Sequence, residues 1–444
     1  MKPKLSFFEY SGFESDSGRV TDSILESGFN SAELKYLDWF SKTRSPNSPV
    51  FQITQSSIRA QQYVGSIRLG GKEIEILPKL LRSQDSEEKT LLLQNLLVML
   101  EYVNQIDGLD AGVFKLSQQT GSFFEIYIYI FAKRLLRLLQ RGPARAYVLQ
   151  ADNLSCLKGK INFTEDIRKN ALNRSRVFCE FDEFTLDNIY NQTFKYLANT
   201  LVHVSRLSET KKLLARAVSL LSEAKDRSVS YDDVKHLQVT DRAKELGVVF
   251  QLAKMFLRYL RADLFGGRSE AIALLIDMNQ LFEDFVFQLL NKNKKRLNIT
   301  KVDFQKGRRL VRGVRDIGET EFDNKTMFNT YQDIVVDFSS GKRLVIDTKY
   351  KLLQREHNAH MGISNNDVYQ ILTYRELNAD LKDTTVALFY PEYLDSIKME
   401  FKVNSEADIR FAVATINFGV DMRSDLNDIV TEVERVFDGL GLNK

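Results

Sequence analysis

The stretch YQDIVVDFSSGKRLVIDTKYK, residues 331–351, decides the reading of this chain. Its apolar runs, 333–338 and 343–349, are rich in Ile, Val and Phe and are split by Ser339-Ser340-Gly341, the pattern of two short strands in a hairpin. A three-residue hairpin loop commonly ends on a glycine in the left-handed region, and Gly341 is the third loop residue. If Phe338 and Lys342 close the loop, Val336 falls opposite Leu344 and Asp333 opposite Asp347. Directly opposed carboxylates destabilise a sheet, so the pair calls for compensation, and a divalent cation is the obvious candidate. The strand period of two also places Asp347 and Lys349 on one face.

Two carboxylates and an ammonium over one point is the arrangement of PD-(D/E)xK nucleases. The acid-x-Lys triplet alone means little in a chain that is 27% charged. It recurs at Glu33–Lys35, Glu87–Lys89, Glu209–Lys211, Glu223–Lys225, Asp233–Lys235, Asp323–Lys325, Asp380–Lys382 and Glu400–Lys402. Only the copy at Asp347 closes an apolar strand, lies across a hairpin from a second aspartate and precedes a helical stretch.

Composition bounds the rest. A length of 444 residues implies two or three domains with sizeable cores. A net charge of +3 excludes a tail-driven polycation, so nucleic-acid contact has to come from a local patch. Cys156 and Cys179 form no CxxC and the four histidines show no ligand spacing, which argues against structural zinc and iron–sulfur clusters. The first twenty residues carry charges and glycines where a signal peptide needs an apolar run, and no apolar run approaches a membrane span. The expectation is a soluble, cytoplasmic protein with no membrane partner.

Along the chain, the segment around Ser41–Pro49 reads as a loop, and residues 62–80 read as a hairpin turning at Gly70-Gly71 with Ile67 opposite Ile74 and Arg68 opposite Glu73. Residues 88–141 are helical, 145–165 read as strands, and helices follow at 187–204, 209–226 and about 241–262. A Gly-Gly-Arg-Ser break at 266–269 suggests a boundary between a region 1–265, β-rich to about residue 87 and mainly helical from 88, and a domain 270–444. Residues 270–297 read as one long helix with Leu281, Phe282, Phe285, Val286 and Leu289 on its apolar face and Glu283 and Asp284 beside it. Lys292, Lys294, Lys295 and Arg296 close that helix, and Lys306, Arg308, Arg309, Arg312 and Arg315 follow on a strand or loop. This densest basic stretch adjoins the hairpin, a position suited to phosphate contacts. After the hairpin, Asn365 or Asn366 can cap a helix carrying Gln370, with Val368, Ile371 and Leu372 as buried neighbours. Residues 384–391 read as a buried strand ended by Pro391, 396–403 as its partner, and 425–440 as an amphipathic helix. The fold class is α/β and α+β, multidomain: a mixed β/helical N-terminal region and a C-terminal α/β domain with a mixed sheet.

Three stretches together resemble the McrC family, the nuclease subunit of McrBC-type restriction systems. They are VGSIRLGGKEIEILPKL (64–80); LKGKINFTEDIRKN with CEFDEFTLDNIYNQTFKYL (157–197); and MNQLFEDFV, QDIVV, VIDTKYK and VYQILTYRE within 278–376. They cover most of the chain in the family's order. Gln332 stands where that family usually has proline. The resemblance implies a restriction-endonuclease-like C-terminal domain in which Asp333 and Asp347 hold Mg²⁺, with Mn²⁺ as a substitute. It implies that Lys349 orients or activates the attacking water, that Glu283 is an additional acidic ligand, and that Gln370 supports the site. It implies cleavage of double-stranded DNA in an antiviral restriction system; the position of the basic stretch beside the hairpin, not the resemblance, makes Arg308, Arg309, Arg312, Lys294 and Lys295 the expected phosphate contacts. It also implies a McrB-like AAA+ GTPase hexamer as partner, engaged by residues 1–265; the chain has no GxxxxGK(S/T) phosphate loop of its own. Two alternatives stay open on sequence: a stand-alone PD-(D/E)xK repair nuclease, and a catalytically silent activator of an AAA+ partner.

Overall fold

A computed structural model of the chain describes residues 4–10, 12–14, 31–44, 49–53, 57–69, 72–80, 86–104, 123–172, 174–239, 244–265, 269–355, 360–378, 383–404 and 409–443. It is a multidomain protein of mixed α/β character. The chain divides into two compact units, one formed by Met1–Val103 with Leu275–Lys444 and the other by Asn104–Leu274. In this division the N-terminal hundred residues group with the C-terminal ones. Polar contacts explain the grouping. Buried Asn95 donates to the Phe418 and Val420 carbonyls at 2.8 and 2.7 Å and accepts from Met422 N at 3.1 Å. Lys79 Nζ donates to the Tyr350 carbonyl at 2.5 Å, and Met278 N to the Gln62 carbonyl at 2.9 Å. The Gly70-Gly71 turn lies outside the described residues, but its strands Tyr63–Leu69 and Lys72–Leu77 pair with Ile67 opposite Ile74 and Arg68 opposite Glu73.

The C-terminal part of this unit is a six-stranded mixed sheet. In chain order its strands are β1 (Ile299–Val311), β2 (Met327–Phe338), β3 (Arg343–Thr348), β4 (Thr384–Glu392), β5 (Lys398–Lys402) and β6 (Arg410–Asn417). Their spatial order is β1-β2-β3-β4-β6-β5. The first three are antiparallel, β3, β4 and β6 are parallel, and β5 runs antiparallel to β6. Helices α1 (Met278–Lys292), α2 (Asn365–Glu376) and α3 (Met422–Gly439) belong to the same part. The parallel strands are buried on both faces, as crossover connections require, and read as continuous Val, Ala, Leu and Phe runs. One face packs Val335, Val345, Val386, Leu388 and Val413 against Ile371 and Tyr374 of α2, with Val368 and Leu372 partly buried beside them.

Several local expectations need correction. Residues 270–297 are not one helix: Ser269–Asp277 is a strand, and α1 starts only at Met278. The stop is Asp277, whose carboxylate accepts from Asn279 N and Gln280 N as an N-cap, a signal hidden inside an apolar run. The cap of α2 is Ser364 rather than Asn365 or Asn366, because Ser364 and Asp367 form a reciprocal capping box. The strand 384–391 continues through Pro391 to Glu392, pairing with β6 rather than with residues 396–403. Arg410–Asn417 is the strand that intervenes. Ser31–Arg44 is a helix, so Ser41–Arg44 are helical where a loop is expected, and residues 45–48 lie outside the described residues.

The second unit holds helices Phe123–Gln140, Ile189–Val204, Ser208–Leu220 and Lys244–Tyr259 around Phe131, Phe194, Phe250 and Phe256. Beside them Ala146–Leu154, Lys160–Ile161 and Val177–Thr185 form a three-stranded sheet. The expected strands at 145–165 end earlier than read, because Asn162 caps a helix over Phe163–Asn170. Gly159 is obligatory here: its φ is +71°, and a Cβ would lie 2.4 Å from the Glu180 carbonyl oxygen.

Candidate active site

Register builds the site. β2 and β3 pair Ile334 with Ile346, Val335 with Val345 and Val336 with Leu344, so the next step along both strands brings Asp333 and Asp347 across from each other. Phe338 N donates to the Lys342 carbonyl at 3.0 Å and Gly341 adopts φ +87°, which closes the loop as the residue types require.

Each acid is then held differently. Asp333 Oδ2 accepts from Thr348 N at 2.8 Å and from Thr348 Oγ1 at 3.0 Å. Asp347 is fully buried, and neither of its oxygens receives a well-aligned hydrogen bond, although Lys349 Nζ stands 2.8 Å from Oδ2. Lys349 Nζ also donates to Gln370 Oε1 at 3.0 Å, so α2 does reach the lysine. Gln370 Nε2 in turn donates to Tyr374 Oη at 2.7 Å, and the Tyr374 hydroxyl donates to the Tyr331 carbonyl at 2.6 Å. Tyr374 and Thr348 were missed from sequence. For Tyr374 the signal was available, because it lies one helical turn beyond Gln370 on the same face.

Glu283 lies on α1 and accepts from Gln305 Nε2 at 3.2 Å. Gln305 sits on β1 between the pairs Phe304–Ile334 and Lys306–Gln332, beside Asp333, with a left-handed φ of 45° that is costly for a residue with a side chain.

The electrostatics follow from burial and crowding. Burial and then the Asp333 charge push the Asp347 carboxyl up to about 7, against the pull of Lys349. Burial and then Asp333 likewise raise Glu283 to about 7. Burial raises Asp333 as well, opposed by the Thr348 hydrogen bonds and Lys349. Burial works against the Lys349 ammonium, but the Asp347 and Asp333 carboxylates outweigh it and raise its pKa. Three acids made reluctant to ionise chiefly by burial, with the Asp333 charge adding to the effect on Asp347 and Glu283, are the electrostatic setting that a cation relieves. Among the described residues no three His, Cys, Asp or Glu side chains are grouped to hold a metal alone. Two carboxylates suffice for a hard ion such as Mg²⁺, which keeps waters and borrows phosphate oxygens. The buried Asp347 carboxylate, which receives no well-aligned hydrogen bond, fits that demand.

The basic run divides sharply. Lys292 donates to the Tyr102 carbonyl at 2.8 Å, Arg296 pairs with Glu434 at 3.0 Å, Lys306 with Asp303 at 2.8 Å, and Arg315 donates to the Thr320 carbonyl at 3.1 Å. Lys294 and Lys295 sit in the turn after α1 and do not line the groove formed further along β1. That groove, about 660 Å³, is lined by Arg308, Arg309, Arg312, Asn329 and Tyr331 among others, none of them acidic. Arg308 donates to Asn378 Oδ1 at 3.3 Å and Arg309 to the Thr326 hydroxyl. None of the three arginines forms an ion pair among the described residues.

Fold and site thus define a multidomain α/β protein with a paired-acid and lysine cluster at the end of a sheet hairpin. Comparison with known proteins gives its family. The family described as McrBC 5-methylcytosine restriction system component matches residues 58–391, and the chain belongs to it. The type IV methyl-directed restriction enzyme EcoKMcrBC of Escherichia coli (strain K12) is 21% identical over 325 residues, 70% of this chain and 89% of that protein. Among solved structures, a chain of the refined half-complex from the tetradecameric assembly of Thermococcus gammatolerans McrB AAA+ hexamers with bound McrC shares the fold. The TM-score is 0.63 at 18% identity, covering 98% of this chain and all of that one. Among the described residues, no helix is long and apolar enough to cross a membrane.

Proposed function

We propose that this chain is the nuclease subunit of a McrBC-like restriction system, a PD-(D/E)xK endonuclease that cleaves DNA with Mg²⁺ and works with a McrB-like AAA+ GTPase. The observation that carries the reading is the convergence of Asp333, Asp347 and Lys349 at the end of one hairpin, with Asp347 buried and only the Lys349 ammonium, 2.8 Å from Oδ2, close to its oxygens. Asp333 and Asp347 would hold the ion, with Glu283 as the third acid. Bound there, Mg²⁺ would polarise the scissile phosphate and lower the pKa of a coordinated water. Lys349, charged and steered by Gln370, would orient the water and stabilise the developing negative charge. Tyr374 would fix Gln370, and Thr348 would fix Asp333.

Partner engagement is the second half of the proposal, assigned to the region before the nuclease domain. Family membership and the assembly from which the matching solved chain comes support it. Within the second unit, Tyr147, Leu149 and Phe184 of the three-stranded sheet are 73%, 67% and 52% exposed, an apolar surface suited to a protein contact. The test is co-purification with a McrB-like GTPase followed by cleavage of methylated and unmethylated DNA. Cleavage should require Mg²⁺, the partner and nucleotide together, and Lys349→Ala should remove it. Cleavage by the chain alone, without a partner, would favour a stand-alone nuclease instead.

A further inference from the structure

β2 has two sections. Over Ile334–Asp337 it pairs with both β1 and β3, but from Met327 to Gln332 its described pairing is with β1 alone, down to Val311–Met327. The site acids lie where the sheet gives way to this two-stranded ribbon, and the arginine groove lies on the ribbon. Tyr331, two residues before Asp333, is 60% exposed and lines the groove. Its ring lies over Gly307, its cross-strand neighbour, where an added Cβ would come within 3.5 Å of Cε1. Its carbonyl is held by the Tyr374 hydroxyl. The ring therefore lies against its cross-strand neighbour and is otherwise largely exposed, beside three guanidiniums that form no ion pair among the described residues.

We propose that this groove binds an unpaired segment of DNA, with Tyr331 stacking on a base and Arg308, Arg309 and Arg312 contacting phosphates. The inference rests on the nuclease reading and deepens it by naming the form of the substrate near the site. Phosphate contacts alone would serve a duplex, and arginines are enough for them. An open aromatic face is different: a base offers its own face only when it has left the duplex stack, and stacking tolerates any base. A Cβ at Gly307 would stand 3.5 Å from the ring, ordinary van der Waals contact, so the ring packs close to its cross-strand neighbour without depending on glycine there.

The test uses the full chain in EDTA, so that no cleavage enters, and fluorescence anisotropy with a labelled single strand of about 15 nucleotides and its matching duplex. Wild type should favour the single strand. Tyr331→Ala should weaken single-strand binding about tenfold or more and duplex binding hardly at all, while Tyr331→Phe keeps both. Arg312→Ala should weaken both forms alike. The proposal is overturned if Tyr331→Ala affects both forms equally or neither, if wild type prefers duplex, or if it binds no DNA. The nuclease reading fails by a separate outcome, magnesium-dependent cleavage that survives loss of Asp347.

Discussion

Asp347-Thr348-Lys349 and Asp323-Asn324-Lys325 are the same kind of triplet in one compact unit, and the structure treats them oppositely. In the first, the aspartate side chain is 0% and the lysine 20% exposed, with 2.8 Å between them. In the second both are 72% exposed and 3.5 Å apart. The spacing is common to both; burial, an opposed second acid and a helix that reaches the lysine belong to the first alone. An exposed pair in water is worth little. The first pair persists inside the sheet with its acid raised to about 7, a cost that stability does not explain and a site does. The ribbon and the sheet end divide the tasks in the same way, exposed cations on one side and buried anions on the other.

The comparison breaks most sharply at the lysines. Lys349→Ala should lower DNA cleavage on the order of a thousandfold, the scale of losing a group that stabilises developing charge, whereas Lys325→Ala should leave it within about twofold. Steady-state cleavage of a supercoiled plasmid in the partner complex measures both. Tyr374→Phe should cost less, about 10- to 100-fold, since it loosens Gln370 rather than removing a reacting group. Its effect should appear in the turnover rate more than in the substrate concentration needed.

On the ribbon, Arg309→Ala and Arg312→Ala should weaken cleavage of every site alike, and each should flatten the log–log salt dependence of DNA binding by about 0.9. A change in which sites are cut would assign base reading to this chain. A further effect is on stability. Asp347 has a raised folded pKa, so its protonated form favours the metal-free fold below about pH 4, and that contribution is lost as pH rises through about 7. Metal-free protein should therefore melt lower at pH 8 than at pH 5. Asp347→Asn should remove part of that slope, by up to about 3 kcal/mol between pH 5 and 8, about two units at about 1.36 kcal/mol each. Differential scanning fluorimetry across that range reads it.

Much of the site was legible because a hairpin's register is fixed by its loop. Once Gly341 and the alternation were read, the opposition of Asp333 and Asp347 followed, as did the shared face with Lys349. Gln370 was legible only weakly, since nothing local says that its helix packs over β3. The fold was less legible wherever a polar residue inside an apolar run changed the structure. Asp277 turns a helix-like stretch into strand and helix, and Arg410–Asn417 inserts between β4 and β5 by long-range pairing that no local pattern encodes. The basic run shows the same limit. Nine cations looked equivalent by spacing, and only their partners, such as Glu434 for Arg296 and Asp303 for Lys306, separate them.

On the proposed function, the residues of the nuclease site and those that drive the partner are different parts of one chain. The direct measurement is Asp347→Ala in complex with the McrB-like GTPase, following DNA cleavage and nucleotide turnover in the same preparation. Cleavage should vanish while stimulated nucleotide turnover stays at the wild-type level. Retained cleavage, or loss of both activities from a mutant that melts and elutes like wild type, would contradict the account.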